Sequence, residues 1–214
     1  MYNQYNQKPW QMTPFYNNQT SLPTGIVKAN EIVQPLNNRS PFYYTASIPI
    51  GLAKSLEGKY FVGMADNLSF GNATNAWARL YNPSDSGVNL FVNVWTVTDI
   101  HSTPYRVQVY FNSFAPGIVQ ESFHVTPANT AFNPLPRPRV ILEYAVGVTD
   151  LPHGGTLGYV RNGEAGTTIV TDEDGKFIFP PGGNFLIFVS NPINPTLPAI
   201  GKIAFGWWEE PIIS

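Results

Sequence analysis

Cysteine is absent from the 214-residue chain, which excludes a disulfide framework and a thiolate metal site. Charge is scarce: Asp, Glu, Lys and Arg make up 12% of the chain, about half the usual ~25%. A net charge of −2 puts little electrostatic repulsion between copies, so association is not resisted. The twelve Lys and Arg are scattered, and the basic face that a nucleic-acid partner needs is missing. No apolar run approaches the ~20 residues of a membrane span. Met1–Gln19 is polar and lacks the apolar stretch of a signal peptide. The expectation is a chain made in the cytoplasm that reaches a spore or cell surface, if at all, by a route such as cell lysis. There is no helix of three turns and no repeat period. The GxSxG elbow, the P-loop and GxGxxG are all missing. His101, His124 and His153 are the only histidines and have neither HxH nor HExxH spacing, so no catalytic residue, metal or cofactor is expected.

What the chain has in quantity is aromatics (14%), 20 prolines and 18 glycines. That combination reads as many short strands joined by Pro/Gly turns. The best strand is Val88–Thr98, VNLFVNVWTVT. Val88, Leu90, Val92 and Val94 share one face, continued by Thr96 and Thr98. Asn89, Phe91, Asn93, Trp95 and Val97 share the other. Tyr105–Asn112 alternates as cleanly, with Tyr105, Val107, Val109 and Phe111 inward, and the short Asp99–Pro104 link predicts a hairpin with Val88–Thr98. Further strands are expected within Phe42–Ile50 and at Lys59–Met64, Asn75–Tyr81, Ile118–Val125, Arg139–Val148, Asn184–Ser190 and Lys202–Glu210. One helical turn is expected at Leu52–Glu57. Asp66–Thr74 and Leu151–Gly166 read as loops, and Asp172–Gly175 (DEDG) as a tight hairpin turn. The fold class is all-β: an antiparallel two-sheet sandwich over residues 40–214, of the jelly-roll type.

Several of these segments occur together elsewhere. LEGKYFVG (Leu56–Gly63), NAWARLYNP (Asn75–Pro83), SGVNLFVNVWTVT (Ser86–Thr98), VTPANT (Val125–Thr130), DGKFIFPPGG (Asp174–Gly183) and FGWWEE (Phe205–Glu210) resemble an uncharacterised family of spore-forming Firmicutes, a domain of unknown function. The resemblance implies a bacterial, spore-associated setting and supplies no catalytic residues. It leaves out residues 1–39.

That N-terminal stretch is compositionally distinct. MYNQYNQKPWQMTPFYNNQ is rich in Asn, Gln and Tyr, with Trp10, Phe15 and Tyr16 as anchors, and GIVKANEIV (Gly25–Val33) is its one strand-like piece. Amide-rich chain can satisfy its backbone by adding to a sheet edge, while the aromatics fill pockets. Phe91, Trp95, Trp207 and Trp208 form the candidate receiving surface within the sandwich. The expected function is therefore structural and non-enzymatic: a protein that assembles with copies of itself, as oligomer or fibre, through its arm, with other surface-layer proteins as further partners. The alternative is a lectin-like module stacking glycans on exposed tryptophan. Glu209 and Glu210 beside Trp207 and Trp208 do not make a glycosidase pair, because adjacent strand residues point to opposite faces.

Overall fold

Alternating apolar residues give each strand one face for burial, and two such faces closed on each other make the core. The computed structural model describes residues 47–100, 103–192 and 195–212. A short helix, α1 (Ile50–Leu56), precedes eleven strands: β1 (Tyr60–Gly71), β2 (Asn75–Tyr81), β3 (Val88–Asp99), β4 (Tyr105–Phe111), β5 (Gln120–Glu121), β6 (Val125–Pro127), β7 (Ile141–Val148), β8 (Thr156–Gly163), β9 (Thr168–Phe179), β10 (Asn184–Ser190) and β11 (Pro198–Pro211). They form two antiparallel sheets, in the orders β6-β1-β11-β3-β9 and β5-β7-β2-β10-β4-β8.

The pairs β1·β11, β2·β10, β3·β9 and β4·β8 nest inside one another, as in a single long antiparallel ribbon rolled up. This is the jelly-roll order expected from the sequence. The segment β5–β7 is an insertion between β4 and β8. It widens both sheets on the side where β1 and β2 would otherwise be edges. Between β5 and β6 the backbone bridges the two sheets: Ser122 N–H donates to Leu142 and Met64 N–H to His124, while Ser122 Oγ donates to the Met64 carbonyl at 2.6 Å.

The main core lies between the sheets, where Leu90, Trp95, Val107, Phe185, Ile187 and Trp207 are all buried. A second apolar cluster sits on the outer face of the six-stranded sheet, with Trp77, Leu186 and Phe188. The loop after β4 covers it, and Trp77 Nε1 donates to the Pro116 carbonyl there at 2.7 Å. That second layer is why β10 (NFLIFVS) is apolar on both faces.

The structure departs from the sequence reading in several places, each with an identifiable cause. β3 does not pair with β4; they lie in different sheets, so the link between them crosses the sandwich instead of closing a hairpin. A short link serves either geometry, and loop length alone does not distinguish them. β1 runs on through the expected turn to Gly71, with a bulge between Ala65 and Leu68 at the positive-φ residue Asn67. The real turn follows, at Asn72 and Ala73. Gly-rich Thr156–Gly163 is a strand, whereas Ile118–Val125 contributes only Gln120–Glu121 and the start of Val125–Pro127. Ile50 begins α1 instead of ending a strand, and Gly58 (φ +73) follows the helix C-cap.

β3 itself is correct as a strand and central in its sheet, but its faces switch. Val88, Leu90 and Val92 are buried, then Trp95 and Val97. Asn93 is the extra residue: Val92 faces Trp207 and Val94 faces Gly206 on β11. Such a bulge moves every later side chain to the opposite face, which puts Trp95 in the core and Val94 outside. The DEDG stretch is likewise a bulge inside β9 and not a hairpin turn. Val92 pairs with Phe177 and Val94 with Asp172, so Glu173–Lys176 loop out of the ladder.

Candidate functional site

The outer face of the five-stranded sheet is covered at one end and open at the other. At the covered end, Tyr60, Trp208 and Phe91 form one cross-strand row over β1, β11 and β3. Trp208 stacks on Phe91 with ring centroids 5.3 Å apart and planes 9° apart, and on Tyr60 at 6.5 Å. The β9 bulge folds over this row. At Gly175 (φ +71) a Cβ would lie 1.8 Å from the Trp208 ring, so only glycine fits that crossing.

The same bulge carries the buried Glu173 carboxylate into the molecule. It accepts from Trp95 Nε1 at 3.2 Å and from the Tyr159 hydroxyl at 2.8 Å, and it pairs with Lys176 at 3.1 Å. Burial, with Glu173 alongside, pushes the Tyr159 phenol well up, so it stays a neutral donor. Glu173 is thus a structural clamp on the core tryptophan, not part of a solvated turn.

α1 lies on this face too. Gly51 approaches the Tyr60 ring and the Asn93 amide, and Asn93 Nδ2 donates to the Tyr60 hydroxyl at 2.9 Å. A four-charge cluster ties the helix to the last strand: Lys54 pairs with Glu210 and Glu57, and Lys59 pairs with the same two carboxylates.

Beyond Tyr60 no described residue covers the face. Two cross-strand rows, Val62–Gly206–Val94 and Met64–Ala204–Thr96, floor an apolar groove of about 540 Å³. Its centre is low because β11 supplies only glycine and alanine there. A Cβ on Gly206 would lie 2.4 Å from the Tyr60 hydroxyl and 2.8 Å from Val94. One wall is Phe123, beside His124, and its ring is 90% exposed. Val62 and Met64 are more than a third exposed. An open apolar surface of this kind suits a peptide or protein partner that brings its own apolar side chains.

Of the residues singled out from sequence, Trp10, Phe15, Tyr16 and Gly25–Val33 lie outside the described residues. Trp95 and Trp207 are core residues with 0% exposure, and Trp208 is buried under the β9 bulge. Phe91 is half-buried against Trp208. The FGWWEE end is therefore internal, and Glu209 accepts from the backbone N–H of Arg139 and Val140 and from Trp207 Nε1. All four tryptophans among the described residues are buried, so none offers an exposed platform to a sugar ring. His101 is outside the described residues. His153 stacks on Phe114 at 5.4 Å, and His124 borders the groove. Among the described residues no three potential metal ligands converge.

The groove itself was not foreseen from sequence. Its parts are ordinary outward-facing residues, and only the Asn93 bulge brings Val94 out to join them.

No curated protein and no solved structure matches the chain. Residues 36–214 match the model of a family of unknown function. That span takes in every element described above, and the chain belongs to this family, DUF6143.

Proposed function

We propose that this is a structural, self-assembling protein, non-enzymatic, in which the N-terminal arm of one copy docks on the sandwich of the next. The observation that carries this reading is the apolar groove beside α1, which no described residue covers. α1, the first described element, packs beside that groove through Gly51 against the Tyr60 ring, and the arm precedes it in the chain. The arm brings what such a groove takes: Trp10, Phe15 and Tyr16 in a segment with few charges. The groove has little polar lining to repel them. The low overall charge leaves copies free to approach. The setting that fits is a spore surface layer or appendage in a spore-forming bacterium, where Asn-, Gln- and Tyr-rich termini suit proteins that associate after synthesis.

Deleting Met1–Arg39 is expected to convert assemblies into monomers. Mass photometry and electron microscopy of both proteins check this. Identical assemblies from the truncated chain, or a full-length chain that is monomeric at micromolar concentration, would refute the reading. Met64→Glu places a charge on the groove floor at a position already 37% exposed. It is expected to weaken assembly at least tenfold with an unchanged far-ultraviolet circular dichroism spectrum.

A further inference from the structure

Each sheet of an open sandwich ends in strands with one unpaired side, and such edges recruit other strands unless they are blunted. Among the described residues there are four such edges, and three of them are blunted. β5 has two residues, and β6 has three and ends in Pro127. β9 is long but broken by the bulge that carries Asp172, Glu173, Asp174 and Lys176. The fourth, β8 (TLGYVRNG), is different. Among the described residues it pairs only with β4. It holds no proline and a single charge, Arg161. A bulge at Gly158 separates Leu157 from Tyr159 in the ladder, and beyond it Tyr159–Gly163 runs in unbroken register with Tyr105–Val109. Five residues with a regular backbone and an open side await a strand. Among the described residues, the Val160 carbonyl there is met by a flexible group, the exposed Arg161 guanidinium at 3.2 Å.

We infer that β8 is an acceptor edge, and that the strand it accepts is Gly25–Val33 of a neighbouring copy. This rests on the arm reading above and adds a second, backbone-made contact to the groove. GIVKANEIV is the strand-like piece of the arm and has no proline to interrupt a ladder. Its Lys28 and Glu31 cancel, so the segment brings no net charge to Arg161, and a register with Glu31 near Arg161 pairs the two. The 14 peptide steps from Val33 to Ser47 span about 46–50 Å when extended, enough to pass from one sandwich to another. Pairing two β8 edges with each other instead would bring Arg161 of one copy towards Arg161 of the second, which is unfavourable.

The cysteine-free sequence makes the test clean. Full-length single-cysteine variants at positions 28, 30 and 32 (Lys28→Cys, Asn30→Cys, Ile32→Cys) are each mixed with Asn162→Cys and oxidised gently. The control partner is Gln120→Cys, on the opposite edge of the same sheet. At least one arm position is expected to cross-link to Cys at 162 with a yield five-fold or more above the control, and Val160→Pro should abolish that excess. Equal yields with both partners would overturn the edge assignment. The arm reading would still stand if deleting Met1–Arg39 abolishes assembly. If that deletion leaves assembly intact, the arm reading fails whatever the cross-links show.

Discussion

Glu209→Ala is expected to lower the stability of the sandwich by about 4 kcal/mol, enough to leave a marginal domain largely unfolded at 37 °C. The carboxylate is 6% exposed and serves three donors at once: the backbone N–H groups of Arg139 and Val140 and the Trp207 indole. Truncation takes the acceptor from all three donors together. An orphaned buried donor costs about 1–3 kcal/mol, and the cavity adds to that. The loss is also topological, since this one side chain joins the last strand to the start of β7 in the other sheet. Glu209→Gln keeps Oε1 as an acceptor but turns an N–H₂ towards the Arg139 N–H, so a smaller loss is expected. Urea denaturation of the three proteins ranks them, and a Glu209→Ala midpoint close to wild type would contradict the assignment.

Burial raises the Glu209 carboxyl above the usual range, and the three donors offset only part of that. The sign of the pH effect follows. A carboxyl with a raised folded-state value binds its proton more tightly in the folded protein. Protonation of Glu209 therefore adds an increment of stability that is full below the unfolded value and is lost as pH rises through the folded one, over and above the hydrogen bonds that Glu209→Ala removes. Glu209→Gln cannot titrate, so its stability is expected to change less than wild type across that acid interval.

Gly175→Ala is the second large effect. The residue sits at φ +71, where a Cβ costs about 1–2 kcal/mol. That Cβ would also lie 1.8 Å from the ring of Trp208, itself only 4% exposed between Tyr60 and Phe91. Overpacking adds about 1–3 kcal/mol, so a loss of about 2–5 kcal/mol is expected, with a red shift of tryptophan emission as Trp208 is displaced. The pair should be strongly non-additive: in a Trp208→Ala background the clash disappears, and Gly175→Ala should cost no more than its backbone strain. A Gly175→Ala protein within 0.5 kcal/mol of wild type would rule out this packing.

Both predictions concern features that the sequence carried in part. The alternation in Tyr105–Phe111 was sufficient to place Tyr105, Val107 and Val109 in the core, because no bulge interrupts that strand on its inner face. In β3 the same logic worked up to Val92 and failed after it. The insertion of Asn93 is visible only against its partner strand, where Gly206 and Trp207 take up the slack. DEDG has genuine turn chemistry, and Asp174 and Gly175 do adopt positive φ. The tertiary structure uses that turn to cap Trp208 instead of ending a strand. Trp207 and Trp208 do point to opposite faces, but facing outward does not mean being wet when another strand folds over the top. The jelly-roll order was legible from strand number and spacing. The groove was not, because it consists of residues left uncovered, and coverage is a property of the whole chain.

The nested pairing also has a temporal meaning. β1 gains its partner β11 only after every other described strand has been made, so an early strand waits for a late one. The groove floor, built from Ala204 and Gly206 between β1 and β3, cannot exist until β11 has been translated. Met1–Arg39 is made before any of these strands. Throughout synthesis, the finished grooves within its reach are those of older molecules. The order of the chain thus biases each newborn arm towards a neighbour before its own sandwich has closed.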